Sequence, residues 1–190
     1  RIMKELDSVE IEVFINNAGF GYCGETLSIE TETELNMIDL NVKAMHFLAK
    51  LVLDQMVERN KGYVLNVASS AGLLPAGPYM SAYYATKAYV TSYTRGVAEE
   101  LRRKHSDVYI GCLCPGPVDT EFNKVANVEF ALQGISANYC ANYAITQMFK
   151  KKITIVPAFK MKALVVLARF LPTKLYIRIA AKQQRKKIYR

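Results

Sequence analysis

The stretch from Val64 to Lys87 decides the fold, and it reads Val-Leu-Asn-Val-Ala-Ser-Ser-Ala-Gly-Leu-Leu-Pro-Ala-Gly-Pro-Tyr-Met-Ser-Ala-Tyr-Tyr-Ala-Thr-Lys. It begins as a short apolar run with β-branched side chains, which predicts a buried strand. Small residues, Gly72 and two prolines follow, and they predict a loop. From Ala82 to Leu101 the composition and spacing predict a helix. A strand, a loop and a helix in this order indicate an α/β protein.

Tyr83 and Lys87 stand four residues apart on the predicted helix, so both side chains project from one face. A phenol with a pKa near ~10 is a poor base at neutral pH, but a neighbouring ammonium favours the phenolate and lowers that pKa. Ser70 is expected at the carboxyl end of the strand, where an open parallel sheet binds its ligands. Its hydroxyl could donate a hydrogen bond to a substrate oxygen. The alternative is an ordinary surface pair, which Tyr-x-x-x-Lys alone would favour.

Further blocks in the chain favour the catalytic interpretation. Asn16-Asn17-Ala18-Gly19 closes one apolar run, Asn41 interrupts a long helical pattern, and Pro-Gly-Pro-Val-Asp-Thr closes another apolar run at residues 115–120. Ser70 precedes Tyr83 by thirteen residues. In this order and spacing, the blocks resemble the short-chain dehydrogenase/reductase family. The resemblance covers Ile11 to about Thr120 and extends more loosely over the remainder.

The resemblance implies an NAD(P)-dependent oxidoreductase that interconverts alcohols and carbonyls with a Ser-Tyr-Lys-Asn tetrad. Tyr83 would give a proton to the carbonyl oxygen or take one from the alcohol. Lys87 would lower the pKa of Tyr83 and bind the nicotinamide ribose, and Ser70 would hold the substrate oxygen. Asn41 would hold a water that links the lysine to solvent in a proton relay.

The resemblance also implies a cofactor, NADP or NAD, with NADP slightly favoured. Tyr83 and Lys87 would contact it, together with residues of the Asn-Asn-Ala-Gly block and of the Pro-Gly turn: Asn17, Ala18, Gly19, Pro115, Gly116, Val118 and Thr120. No metal site is expected. Cys112 and Cys114 alternate along a strand-like run, which is not a zinc-binding spacing, so they are expected to be buried free thiols.

The expected organisation is a single partial Rossmann-type domain with a doubly wound parallel sheet. Residues 1–120 carry the core motifs, 121–150 a substrate lid and a helix, and 151–190 the last strand and a basic C-terminal extension. The family's glycine-rich turn has no counterpart. Gly19 to Gly24 contains Gly-x-Gly-x-x-Gly but lacks the strand-turn-helix context, so it is expected to be a flexible loop. We therefore expect a fragment that lacks the first strands, exposes an unpaired apolar sheet edge and is inactive alone.

The charge is distributed unevenly. Residues 150–190 hold thirteen Lys and Arg and no Asp or Glu, whereas the remainder holds twelve basic and seventeen acidic residues. If residues 173–187 are helical, four cations form one stripe: Lys174, Arg178, Lys182 and Lys186. Such a helix could cover the substrate pocket or pack at a subunit interface, and we slightly favour these possibilities over contact with a membrane. It could also lie on an anionic membrane surface.

The expected partners are a small, partly apolar carbonyl or alcohol substrate and further copies of the intact chain. A lipid-like substrate is one alternative. Nucleic acid is not expected, because no aromatic-rich basic groove is present. No apolar run approaches the ~20 residues that span a bilayer, and we expect a cytoplasmic protein, with membrane association as the alternative. The rival function is a truncated, non-catalytic protein that binds a membrane or a partner chain through its basic tail or sheet edge.

Overall fold

The computed structural model describes residues 9–122, 126 and 134–185. Its main sheet has four parallel strands in the order β1-β2-β3-β6, and β4 and β5 form a second, two-stranded parallel pair. The strands are β1 Val13–Asn16, β2 Tyr63–Val67, β3 Tyr109–Leu113, β4 Val118–Asp119, β5 Ile135–Ser136 and β6 Thr154–Ile155. The predicted Rossmann-type α/β fold with a parallel sheet is confirmed.

Helices connect successive strands of the main sheet. They are α1 Thr31–Ile38, α2 Met45–Glu58, α3 Ser81–Arg103, α4 Ala137–Phe149, α5 Phe159–Phe170 and α6 Thr173–Arg185. A π-helical segment, Asp39–Ala44, joins α1 to α2, and short 3₁₀ turns lie at Thr26–Ser28 and Ser70–Leu73. The predicted C-terminal helix is thus present over its described part, whereas Lys186 lies outside the described residues. None of the helices in the described ranges has the length and apolar character needed to cross a membrane.

Helices cover both faces of the sheet. Val64 and Ile110 pack with residues of α2 and α3 on one face. Leu65 and Leu113 pack with α4 on the opposite face. Successive side chains of a strand point to opposite faces, so the continuous apolar runs of β2 and β3 are those of strands buried on both sides. Each such side chain contributes about 1.5–3 kcal/mol relative to an exposed one.

The edge strand β1 confirms the expected apolar edge. It pairs with β2 through a register that sets Ile15 against Leu65. Among the described residues β2 is its sole strand neighbour. Val13 and Ile15 are exposed.

Two loops at the carboxyl ends of the strands fit closely against α3. A Cβ atom on Gly72 would lie 2.3 Å from the backbone oxygen of Lys87, so the turn after β2 rests directly on the helix. A Cβ atom on Gly21 would lie 2.9 Å from Cδ2 of Tyr83. Residues 19–24 form a loop, as predicted, and its Gly24 amide donates to the carbonyl oxygen of Tyr79 over 2.9 Å. Both loops therefore frame the start of α3.

Cys112 and Cys114 are buried free thiols, as predicted. The Sγ atoms of Cys112 and Cys114 lie 3.8 Å apart on one face of the sheet. They belong to the same apolar cluster as Val90 of α3 and Val165 of α5.

Candidate active site

The predicted tyrosine and lysine lie in the first turns of α3, beside the end of β2. Tyr83 and Lys87 are only 8% and 5% exposed, respectively. An ordinary surface pair would be solvated, so that alternative is wrong. Burial of a cationic amine and a phenol next to a cavity is typical of a functional site.

Ser69, rather than Ser70, is the serine that the structure brings to the tyrosine. Hydrogen bonding by the Ser69 side chain lowers the pKa of Tyr83, and Ser70 is not among the groups that influence that pKa. Ser69 has an extended backbone, and its Oγ also accepts a hydrogen bond from the Ala71 amide at 3.1 Å. Ser70 is buried, and its backbone amide donates to the carbonyl oxygen of Pro115 at 2.8 Å.

Ser70 was predicted from its spacing of thirteen residues to Tyr83, and that spacing does not show which of two successive serines faces the tyrosine. Adjacent side chains leave an extended backbone in opposite directions, so only one of two successive serines can face Tyr83. The length of the intervening loop does not determine which one does.

Lys87 is held by the end of the strand rather than by the phenol. Its Nζ donates to the carbonyl oxygen of Val67 at 2.9 Å and lies 5.9 Å from the centre of the Tyr83 ring. Burial disfavours the ammonium and lowers the pKa of Lys87 to about 8. A Cβ atom on Gly19 would lie 3.3 Å from this Nζ, so the Asn-Asn-Ala-Gly loop passes close to the cation.

The pKa of Tyr83 does not follow the prediction that Lys87 would lower it. Burial is the largest influence and raises this pKa to about 12, although the hydrogen bond with Ser69 opposes the rise. The physical reason is that desolvation penalises the phenolate, while the ammonium of Lys87 is hydrogen-bonded to the Val67 carbonyl. Tyr83 is therefore a protonated hydroxyl at neutral pH.

Asn41 lies within the π-helical segment, which is the break in the helix that its position suggested. Its Oδ1 accepts from the Phe20 amide at 3.0 Å, and its Nδ2 donates to the Phe20 carbonyl at 2.8 Å and to Thr86 Oγ1 at 3.1 Å. Thr86 Oγ1 in turn donates to the carbonyl oxygen of Tyr83 at 2.8 Å. The side chain of Asn41 thus ties the Asn-Asn-Ala-Gly loop to α3, and the proton relay through it stays a prediction.

A cavity of about 510 Å³ opens beside these residues. Of the predicted site residues, Asn41 and Ala18 are not among those that line it. The others do line it: Asn17, Gly19, Ser70, Tyr83, Lys87, Pro115, Gly116, Val118 and Thr120, together with Ser69. The carboxyl ends of β1, β2 and β3 therefore converge on one space, as expected for an open parallel sheet.

The opposite wall of the cavity is largely apolar and is built in part by the last two helices. Its side chains include Leu74, Met80, Met161, Leu164, Tyr176 and Ala180. The C-terminal helix α6 thus lines this cavity, and its predicted role as a cover of the substrate pocket or part of a subunit interface stays a prediction.

The amide of Gln184 on α6 is a polar group in this wall that was not predicted from the sequence. Its Nε2 donates to the hydroxyl of Tyr84 at 3.2 Å. Its Oε1 is buried and has no hydrogen-bond partner within the described part of the chain. A glutamine between alanines and basic residues carries no sequence signal for such a role.

The predicted lid is described only in part, because residues 123–125 and 127–133 lie outside the described ranges. Phe122 packs on Tyr83 with ring centres 5.6 Å apart. Its amide donates to Thr120 Oγ1 at 3.3 Å. In the described ranges no group of three or more His, Cys, Asp or Glu side chains is placed to hold a metal ion.

Comparisons with known proteins agree with this geometry. A family model described as short chain dehydrogenase matches residues 1–130. The very-long-chain 3-oxoacyl-CoA reductase of Anas platyrhynchos is 33% identical over 134 residues, which cover 68% of this chain and 42% of that protein. The reductase of the same name from Homo sapiens is 33% identical over 129 residues, covering 66% and 40%. The matched stretch thus spans less than half the length of these relatives.

Solved structures give the same result for the fold. A short-chain dehydrogenase from Sphingobium yanoikuyae in complex with NADPH aligns with a TM-score of 0.76 and 25% identity, covering 88% of this chain and 67% of that one. A short chain dehydrogenase from Burkholderia cenocepacia J2315 in complex with NADP aligns with a TM-score of 0.78 and 19% identity, covering 96% and 75%. On the evidence of its sequence match and its parallel α/β architecture, this chain belongs to the short-chain dehydrogenase family.

Proposed function

We propose that the chain carries the catalytic part of an NAD(P)-dependent oxidoreductase that reduces a ketone on a long, mostly apolar substrate. The observation that supports this most directly is that the buried Tyr83 and Lys87 lie together with the half-buried Ser69 in the cavity wall at the carboxyl end of β2. A phenol, a hydroxyl and an ammonium of this kind can hold a carbonyl oxygen and protonate it.

The residues around the cavity fit a nicotinamide cofactor. Gly19 and Gly116 line the cavity and, having no side chains, leave their backbone open to a ligand there. Lys87 supplies a cation for ribose hydroxyls, and Asn17 and Thr120 supply polar side chains in the cavity wall. A nicotinamide bound here would supply the hydride for reduction or accept it for oxidation.

Tyr83 is suited to donate a proton rather than to remove one. Because its pKa is raised to about 12, the hydroxyl keeps its proton at neutral pH. An oxygen that gains negative charge as a ketone is reduced is more basic than a phenolate, so the proton moves from Tyr83 to that oxygen. Ser69 can donate a hydrogen bond to the same oxygen and so orient it. Tyr83 therefore carries the proton that reduction of a ketone requires.

Lys87 and Asn41 act on the tyrosine and its surroundings. The Lys87 ammonium, with a pKa of about 8, is mostly charged at neutral pH and lies within reach of both the cofactor loop and the phenol ring. Its positive charge would favour the phenolate that remains after proton donation. Asn41 holds the Phe20 backbone and Thr86 in place, and a water at the π-helical break would return a proton to Lys87.

The substrate class follows from the cavity wall and from the relatives. Leu74, Met80, Met161 and Leu164 offer an apolar surface to a hydrocarbon chain. The relatives from Anas platyrhynchos and Homo sapiens bear the name very-long-chain 3-oxoacyl-CoA reductase. We extend that activity to this chain: the 3-ketone of a long 3-oxoacyl thioester would lie at Tyr83, with its acyl chain along the apolar wall.

The test is turnover by the protein as its natural source makes it. Oxidation of NADPH and of NADH is followed with 3-oxoacyl-CoA substrates of increasing chain length. Tyr83→Phe should lower kcat about 10²–10⁴-fold, because the proton donor is lost, while cofactor binding is largely kept. Tyr89→Phe is the matched control, since the Tyr89 hydroxyl contacts His46 and lies outside the cavity.

Retention of most of the rate by Tyr83→Phe would contradict the proposal. A rate that does not increase with acyl length would contradict the substrate class but not the reaction.

A further inference from the structure

Helix α5 presents two apolar faces. Its inner face, with Met161, Val165 and Ala168, is buried in the core. Its outer face is apolar as well, and Phe159 and Phe170 at its two ends are 83% and 82% exposed. The outer face is completed by Val166 and Leu167, which are also exposed. A second apolar face in contact with water marks a docking surface.

Cations border this outer face. At 100° per residue, Arg169 lies along one border and Lys160 along the other. Lys162, on the same side as Arg169, instead donates to the Tyr143 hydroxyl at 3.0 Å. Only two residues separate the end of α5 from the start of α6. The α6 residues Lys174, Arg178 and Lys182 are exposed. From Lys150 to the end of the sequence there is no Asp or Glu. The segment that carries the apolar face is therefore strongly positive.

We propose that the outer face of α5 docks on an anionic lipid surface. An amphipathic helix in the plane of a membrane buries its aromatic and aliphatic side chains at the level of the acyl chains, while Lys and Arg at its borders reach the headgroups. Phe159, Val166, Leu167 and Phe170 would enter the lipid. The bordering cations of α5 and the outward cations of α6 would meet lipid phosphates and carboxylates.

Charge complementarity selects lipid over a second copy of the chain. A two-fold contact would bring the same face of both copies together. The cations of one copy would then lie against the cations of the other, with no acid in the segment to separate them, and this repulsion opposes association. A partner protein with an acidic rim remains an outcome of the test.

The position of α5 connects this surface with the cavity. Met161 and Leu164 of α5 line the cavity, and Leu164 is also half-exposed. A docked α5 would thus separate the lipid from the apolar cavity wall by a single helix. This arrangement gives a long-chain substrate a short path from the membrane to the cavity. Only this step rests on the proposed function.

The experiment is flotation with vesicles of the protein as its natural source makes it, in the absence of cofactor and substrate. One set is phosphatidylcholine alone and the other also contains phosphatidylserine. We expect binding to the anionic set that salt weakens. Phe159→Ser with Phe170→Ser should reduce the bound fraction about tenfold or more, because two phenyl groups that would enter the lipid are lost. Leu27→Ser removes an equally exposed apolar side chain from a distant turn and should leave binding unchanged.

A second variant tests the charges. Arg178→Gln with Lys182→Gln should lower binding to anionic vesicles about 25-fold, at roughly fivefold per cation, and leave the weak binding to neutral vesicles unchanged. Circular dichroism should show that every variant keeps its helices.

The proposal is overturned if the wild-type protein does not float with anionic vesicles, or if the double Phe variant floats as well as the wild type. It is also overturned if the wild type is a dimer in solution that the Phe variant dissociates, because the face would then be a protein interface. None of these results depends on turnover, so they leave the proposed reaction to its own test.

Discussion

The ammonium of Lys87 donates a hydrogen bond to the carbonyl oxygen of Val67, 2.9 Å away, at the last residue of β2. The bond satisfies a strand carbonyl that has no further ladder partner and fixes a buried cation between the sheet and α3. Because the amine is buried, its pKa falls from 10.5 to about 8.

The lowered pKa of Lys87 predicts a specific dependence of stability on pH. Between about pH 8 and the ordinary lysine pKa, the unfolded chain binds more protons than the folded one, so the free energy of unfolding rises with pH. The contribution of Lys87 to this rise is up to about 3 kcal/mol. Between about pH 7.5 and about pH 10, urea unfolding should show a change in the free energy of unfolding that is more favourable for the wild type than for Lys87→Met by up to this amount. The exposed Lys50→Met serves as control and should keep the rise; parallel curves for all three proteins would refute the assignment.

Ser69 and Ser70 can be separated by matched alanine variants. We expect Ser69→Ala to lower kcat for ketone reduction about a hundredfold, because a hydrogen bond to the reacting oxygen is lost. Ser70→Ala keeps the backbone bond to Pro115 and should stay within about threefold of the wild type. The measurement is steady-state turnover of the natural protein. A larger loss of kcat in Ser70→Ala than in Ser69→Ala would instead support Ser70, the serine predicted from its spacing to Tyr83.

Asn41 should contribute to stability as well as to activity. Asn41→Ala leaves the amide and the carbonyl of Phe20 without their side-chain partner in a buried region. The expected loss is about 2–4 kcal/mol in the free energy of unfolding, with faster hydrogen exchange at the Phe20 amide. Asn142→Ala on the exposed side of α4 is the control. If Asn41→Ala unfolds like that control, the amide does not hold the loop.

Two glycines of this region should respond to alanine in opposite directions. A Cβ atom on Gly72 would meet the Lys87 backbone oxygen at 2.3 Å, so Gly72→Ala must displace the turn or α3 and should cost about 1–3 kcal/mol. No atom lies within 4 Å of a Cβ built on Gly96, which is exposed in the middle of α3. Gly96→Ala should therefore stabilise by about 0.5–1 kcal/mol. Thermal unfolding of both variants checks the pair, and equal shifts in Tm would contradict the close approach at Gly72.

Much of the fold was predictable because it depends on local patterns. The apolar run before Ser69 predicted β2, and the composition after it predicted α3, since burial on both faces and helical spacing leave direct traces in the sequence. The block spacing predicted the family, and the helical interruption at Asn41 anticipated the π-helical break. These features are encoded within short windows of residues.

The site itself was predictable as a set of residue types but not as a geometry. Tyr83 and Lys87 were found by their spacing on one helix. The choice between Ser69 and Ser70 required the direction of an extended backbone relative to α3. The contact of Gln184 with Tyr84 joins residues 100 positions apart, and no local pattern records it.

The sequence by itself therefore determined the alternation of strands and helices, the family and the residue types of the candidate site. Only the tertiary structure decided which serine meets Tyr83, and that the pKa of Tyr83 is raised rather than lowered. It also decided that α5 turns a second apolar face to the solvent. The physical reason is that secondary structure follows from neighbours along the chain. Desolvation, side-chain direction and exposure depend instead on which distant elements pack around a residue.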